Sequence, residues 1–177
     1  MQRGAVAAAA AGKSPPADEL ATRALVALDV GENIGVAMSD ESFSVAVPYR
    51  VIKQPRAKSG ISQTADTLRQ ILTDLNAVGV VVGWPLKLDG TEGVQCGRTQ
   101  RFVQRVLLRQ RLGVPMIMWD ERYSTQMATE ESMGILAEGS RVDAFAARSI
   151  LQDFLDTLKP GEGDVDVARL VESLLIE

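Results

Sequence analysis

Three acidic residues in three separate segments have the type and placement to do chemistry: Asp29 in ALVALDVGENIG, Asp120 in VPMIMWDERYST and Asp143 in GSRVDAFAARSIL. The first two end short apolar runs that read as buried β-strands, and the third opens a helical pattern. A carboxylate at the end of a core strand is costly unless something compensates its charge. Three of them converging at one sheet edge would repel one another, and a divalent cation is the usual remedy. Acidic clusters that hold Mg2+ or Mn2+ commonly serve phosphodiester chemistry. A metal-dependent nuclease with Asp29, Asp120 and Asp143 as metal ligands is therefore the leading expectation. Plainer roles stay open for each acid. Asp29 could close a turn, Asp120 could pair with Arg122, and Asp143 could favour a helix dipole. Glu121 is either a further ligand or proton-transfer group, or a residue that orients its loop.

Composition removes competitors. With no histidine in 177 residues, Ser-His-Asp triads, Cys-His dyads, histidine bases and His-ligated zinc are excluded. A single cysteine, Cys96, permits neither an internal disulfide nor a thiolate zinc cluster, and suits a reducing compartment. The formal net charge of -4 argues against a protein that binds nucleic acid by bulk charge alone, but leaves room for metals and a local basic face. No apolar run approaches the roughly 18 residues of a membrane helix.

The elements that must position the acids follow from hydrophobic patterning. Residues 1–22 are rich in alanine and read as a disordered or presequence-like extension, so a mitochondrion or plastid stands beside the cytoplasm as a destination. Residues 23–158 read as one α/β domain. ALVALDV is a strand buried on both faces, and IGVAMSD follows too closely for a crossover, which makes the pair an antiparallel hairpin. FSVAVPYRVIK supplies a third strand, with Pro48 at an edge or bulge. A helix is expected from about Ser62 to Asn76, then the strand VVVG, the loop WPLKLDGTEG and a helix over roughly 94–112. MIMW is a further buried strand, followed by helices near 125–137 and 142–158. Residues 159–177 end in an amphipathic helix, VDVARLVESLLIE, that docks on its own domain, forms a dimer contact or meets a partner.

Cations supply candidates for substrate handling. Lys87 lies in the loop after VVVG, and Arg122 stands beside the DE pair. Arg98, Arg101, Arg105 and Arg109 recur at spacings of three and four, a single helical stripe that could track a phosphate backbone or simply face water.

Four segments together, LDVGENIGVAMSD (28–40), VVVGWPLKLDGTEG (80–93), DERYST (120–125) and VDAFAARSILQDFLD (142–156), resemble the YqgF (RuvX) family of Holliday-junction resolvases and ribosomal-RNA-maturation nucleases. The resemblance implies an RNase H-like fold, a five-stranded mixed sheet whose first three strands are antiparallel, flanked by helices. It implies that the acids meet at one end of the sheet, with Asp29, Asp120, Asp143 and Glu121 catalytic and Mg2+ or Mn2+ as cofactor. It points to precursor ribosomal RNA, and to a ribosomal particle as a partner, before four-way DNA junctions. A junction resolvase should be a stable dimer with extensive basic surface; this acidic chain reads instead as a monomer or weak homodimer. The sequence departs from the family pattern in carrying Glu32-Asn33 where a basic residue is usual before IGVA, and in offering only Arg141 in the loop before Asp143. Those departures keep a non-catalytic RNA-binding or ribosome-associated module in view.

Overall fold

The computed structural model describes residues 23–54, 60–121 and 142–158. The expected helix near 125–137, the chain's two ends and the loop before Asp143 lie outside the described residues. Strand β1 (Ala24–Val30) pairs antiparallel with β2 (Asn33–Ser39), which pairs antiparallel with β3 (Ala46–Lys53). Helix α1 (Gly60–Asp74) leads to β4 (Ala77–Trp84), and helix α2 (Val94–Phe102) precedes β5 (Met116–Asp120). Helix α3 (Val142–Thr157) is the last described element. β4 pairs parallel with both β1 and β5, so the five-stranded sheet runs β3-β2-β1-β4-β5.

This mixed topology follows from the connections. Residues 31–32 can only turn the chain back, whereas the helix-containing links allow parallel return. In β3 the register slips between Val36, opposite Arg50, and Ala37, opposite Pro48. Tyr49 is thus the extra residue of a bulge beside the proline, which has no N–H for the ladder.

The sheet is covered on both faces, and strand alternation decides what each face receives. Val26 and Leu28 of β1, with Val80 and Val82 of β4, pack against Leu68 and Ile71 of α1 and Phe102 of α2. Leu25, Ala27 and Val81 pack against Ala147, Ile150 and Phe154 of α3. β1 is central and almost wholly apolar because it is buried from both sides.

The expected single helix over 94–112 takes a different form. After Phe102 the chain continues as a π-helix over Val103–Leu108, with i→i+5 bonds such as Arg109 N–H to the Gln104 carbonyl at 3.1 Å. Apolar periodicity places the buried side but does not register the extra residue per turn. Arg111 and Gly113, with φ of 48° and 78°, then turn the chain towards β5.

Candidate active site

Asp29 sits one residue before the end of β1, at the carboxyl end of the central strand. It shares parity with Leu25 and Ala27, so its side chain belongs to the α3 face. Asp143 lies in the first turn of α3. Its Oδ2 accepts a 3.0 Å hydrogen bond from Asn33 Nδ2, which ties the carboxylate to the start of β2. Gly35 allows that approach, since a Cβ there would run into the Asp143 carbonyl. β2 and the start of α3 therefore meet backbone to backbone.

The DE pair divides between the two faces. Trp119 is turned towards α3, where its Nε1 donates to Asp153 Oδ2 at 2.8 Å and its ring meets Phe154 edge-on at 5.1 Å. Asp120 consequently turns the other way and lines a groove beside α2. The Glu121 N–H donates to the Trp84 carbonyl, which continues the β4–β5 ladder by one residue and returns the Glu121 side chain to the α3 face. There its carboxylate fills the space that a side chain at Gly83 would take: a Cβ on Gly83 would stand 2.5 Å from Glu121 Oε2 and 2.6 Å from Ile150 Cδ1.

The electrostatics follow this geometry. Burial, reinforced by the nearby Asp143 carboxylate, raises Asp29 to about 6. Burial, with repulsion first from Asp29 and then from Asp120, raises Glu121 to about 7. Asp29, Glu121 and Asp143 are thus brought into one electrostatic cluster, each from a different part of the chain. Asp120 adds to that cluster by its repulsion of the adjacent Glu121. Among the described residues no three acidic, histidine or cysteine side chains stand close enough to hold one ion. Two carboxylates, completed by water and phosphate oxygens, are however an ordinary Mg2+ set. An all-oxygen, mutually repelling donor group of this kind fits Mg2+ or Mn2+.

The cationic candidates lie elsewhere. Lys87 is exposed in the loop after β4, where its N–H donates to the Thr91 carbonyl and its own carbonyl accepts from Gly90. Arg98, Arg101, Arg105 and Arg109 are all exposed along α2 and its π-helical continuation. Arg122 lies outside the described residues. Two positioning residues escaped sequence reading. Asn33 registered only as a missing cation, and Gly83 reads as an unremarkable strand end. The one usable signal for Gly83 was a glycine closing an otherwise β-branched run.

A family model described as "RuvX: Holliday junction resolvase" matches residues 23–157. A Caulobacter sp. (strain K31) protein named "Putative pre-16S rRNA nuclease" is 40% identical over 141 residues, covering 76% of this chain and 83% of the relative. A protein of the same name from Syntrophus aciditrophicus (strain SB) is 36% identical over 154 residues, covering 84% and 99%. Among solved structures, the chain is similar to T. thermophilus RuvC in complex with Holliday junction substrate, with a TM-score of 0.52 and 16% identity over 76% of this chain and 94% of that one. The fold is thus the RNase H-like fold of RuvC. Among the described residues no helix is long and apolar enough to cross a membrane.

Proposed function

The chain belongs to the RuvX family, and on that premise we propose that it is a divalent-metal-dependent nuclease that matures precursor 16S ribosomal RNA. The observation that carries the reading is the convergence of Asp29, Glu121 and Asp143, two of them held far above ordinary carboxyl values by burial and one another. A fold keeps such repulsion where a cation relieves it. Asp29 and Glu121 would be the principal ligands, with the Asp143 carboxylate adding its charge beside Asp29. Asp120, one residue away on the opposite face, would act on the substrate side or on the charge of Glu121. When bound, Mg2+ or Mn2+ supplies activation of the attacking water and stabilisation of the leaving oxygen.

The chain's own residues do the rest. Asn33 holds Asp143 in one orientation. Gly83 leaves Glu121 room to reach back over the sheet. The arginines of α2 and its continuation offer a cationic edge to the phosphate backbone. The RNA assignment is supported by the names of relatives at 36–40% identity, and by the net charge of -4, which suits a local contact better than a junction-wide one. The deciding experiment incubates the full chain with a labelled 16S precursor end and with a four-way DNA junction, in Mg2+, Mn2+ or EDTA, beside Asp29→Asn. Metal-dependent trimming of the RNA, absent in the variant, is the expected result. Junction cutting alone would transfer the assignment to recombination. Binding of RNA with no cleavage under any metal would leave a non-catalytic module.

A further inference from the structure

On the face opposite the acid cluster, the carboxyl ends of β4 and β5 and the α2–π helix enclose a groove of about 440 Å³. That volume is in the range of sites that hold small organic ligands, roughly 300–1,000 Å³. Trp84, Val103, Leu108 and Met118 form its walls. Leu108 and Met118 are 55% and 38% exposed, so two large apolar side chains face water at this place. The polar lining that the helix supplies is Gln100 and Gln104, one turn apart. Arg101 and Arg105, each next to one of those glutamines in sequence, are exposed on the same helix. Asp120, at the end of β5, also lines it, and its neighbour Glu121 belongs to the acid cluster.

We propose that this groove is a nucleobase-binding subsite for single-stranded RNA, in which a splayed base packs on Trp84 and Met118 while Gln100 and Gln104 hydrogen-bond its edge. The occupant follows from charge and continuity. An apolar slot with carboxamide readers suits a heteroaromatic ring carrying donors and acceptors, the exposed arginines of the same helix suit neighbouring phosphates, and the groove meets the acid cluster across the carboxyl end of β5, where Asp120 and Glu121 are adjacent. Single-stranded RNA is read in this way, by stacking unpaired bases and bonding their edges. Along the π-helical stretch Gln104 and Leu108 line the groove while Val106 and Leu107 remain in the core. The inference rests on the RNA-nuclease reading for its substrate, but its test does not depend on turnover.

The test measures binding of the full-length protein to a labelled single-stranded oligoribonucleotide, and to an abasic strand of equal length and charge, in EDTA so that no cleavage intervenes. Wild type should favour the base-bearing strand, and Gln100→Ala/Gln104→Ala should weaken that binding by about tenfold or more while leaving the abasic strand unaffected. In 1H–15N spectra the side-chain amides of Gln100 and Gln104 should shift on adding nucleoside 5′-monophosphates. Equal affinity of wild type for the two strands, or an equal loss on both in the variant, overturns the subsite. So does a homodimer that Leu108→Arg dissociates with RNA binding unchanged, which would give the groove to a second copy. Base-selective binding without metal-dependent cleavage would keep the subsite and sink the nuclease reading; cleavage without base selectivity would do the opposite.

Discussion

Adjacent residues of an extended chain point to opposite faces, so Asp120 and Glu121 make separable predictions. Glu121→Gln should lower metal-dependent cleavage by at least about a hundredfold, as for loss of a direct ligand, since even second-layer partners are worth 10–100-fold; Asp120→Asn should cost distinctly less. Initial rates for the two variants check the order. Asn33→Ala removes the hydrogen bond that holds the Asp143 carboxylate and should weaken Mn2+ binding by roughly tenfold, read by titration calorimetry. Glu121 also sets a pH dependence. Its folded value of about 7 lies above the ordinary 4.5, so its protonated form favours the fold; that contribution is complete below pH 4.5 and is lost as pH rises through 7. In EDTA at pH 8, Glu121→Gln should therefore unfold at higher urea than wild type, by about 1–2 kcal/mol after discount for partial exposure, and the difference should close at pH 4. A variant less stable at pH 8 would mean that Glu121 is already compensated by a cationic partner. The sequence showed that this position holds two acids, but not which one joins Asp29. MIMWD has no polar–apolar alternation from which its faces could be read, and the answer lies in the Trp119–Asp153 bond to a distant helix.

Two glycines separate the tolerances of the elements they sit in. A Cβ at Gly35 would meet the backbone of Asp143 and Ala144, which cannot turn aside, so Gly35→Ala should loosen β2 from α3 and cost about 1–3 kcal/mol or more in thermal unfolding. A Cβ at Gly83 would meet only side-chain ends, Glu121 Oε2 and Ile150 Cδ1, which can move. Gly83→Ala should therefore stay folded yet lose cleavage because the carboxylate is displaced; unchanged activity would remove Glu121 from the site. On the basic edge, Arg101→Ala and Arg105→Ala should each lessen the salt dependence of RNA binding by about 0.7 in the log–log slope, measured by anisotropy across a salt series. Most elements were legible. The two-residue link after β1 forced a hairpin, and Pro48 marked the bulge in β3. The π-turn was not legible, because apolar residues at 102, 103, 106 and 107 satisfy an α-helical template and a wider one almost equally.

At the scale of the whole molecule, the expected mixed sheet with three antiparallel strands is the one observed, in the order β3-β2-β1-β4-β5. It was readable because β1 is apolar at both parities, which only a central, doubly covered strand requires. Which faces the helices cover was not readable, since that depends on contacts between residues more than a hundred positions apart, such as Asn33 with Asp143 and Ala46 with Gln152. Those long spans bear on synthesis. β1, β2 and β3 neighbour one another in sequence and can pair as soon as they emerge, whereas Glu121 and Asp143 are translated about ninety and more than a hundred residues after Asp29. While the polypeptide is still being made, its early strands can form beside the very ribosome whose RNA class it is proposed to trim, yet its cutting centre cannot exist. The blade is assembled last.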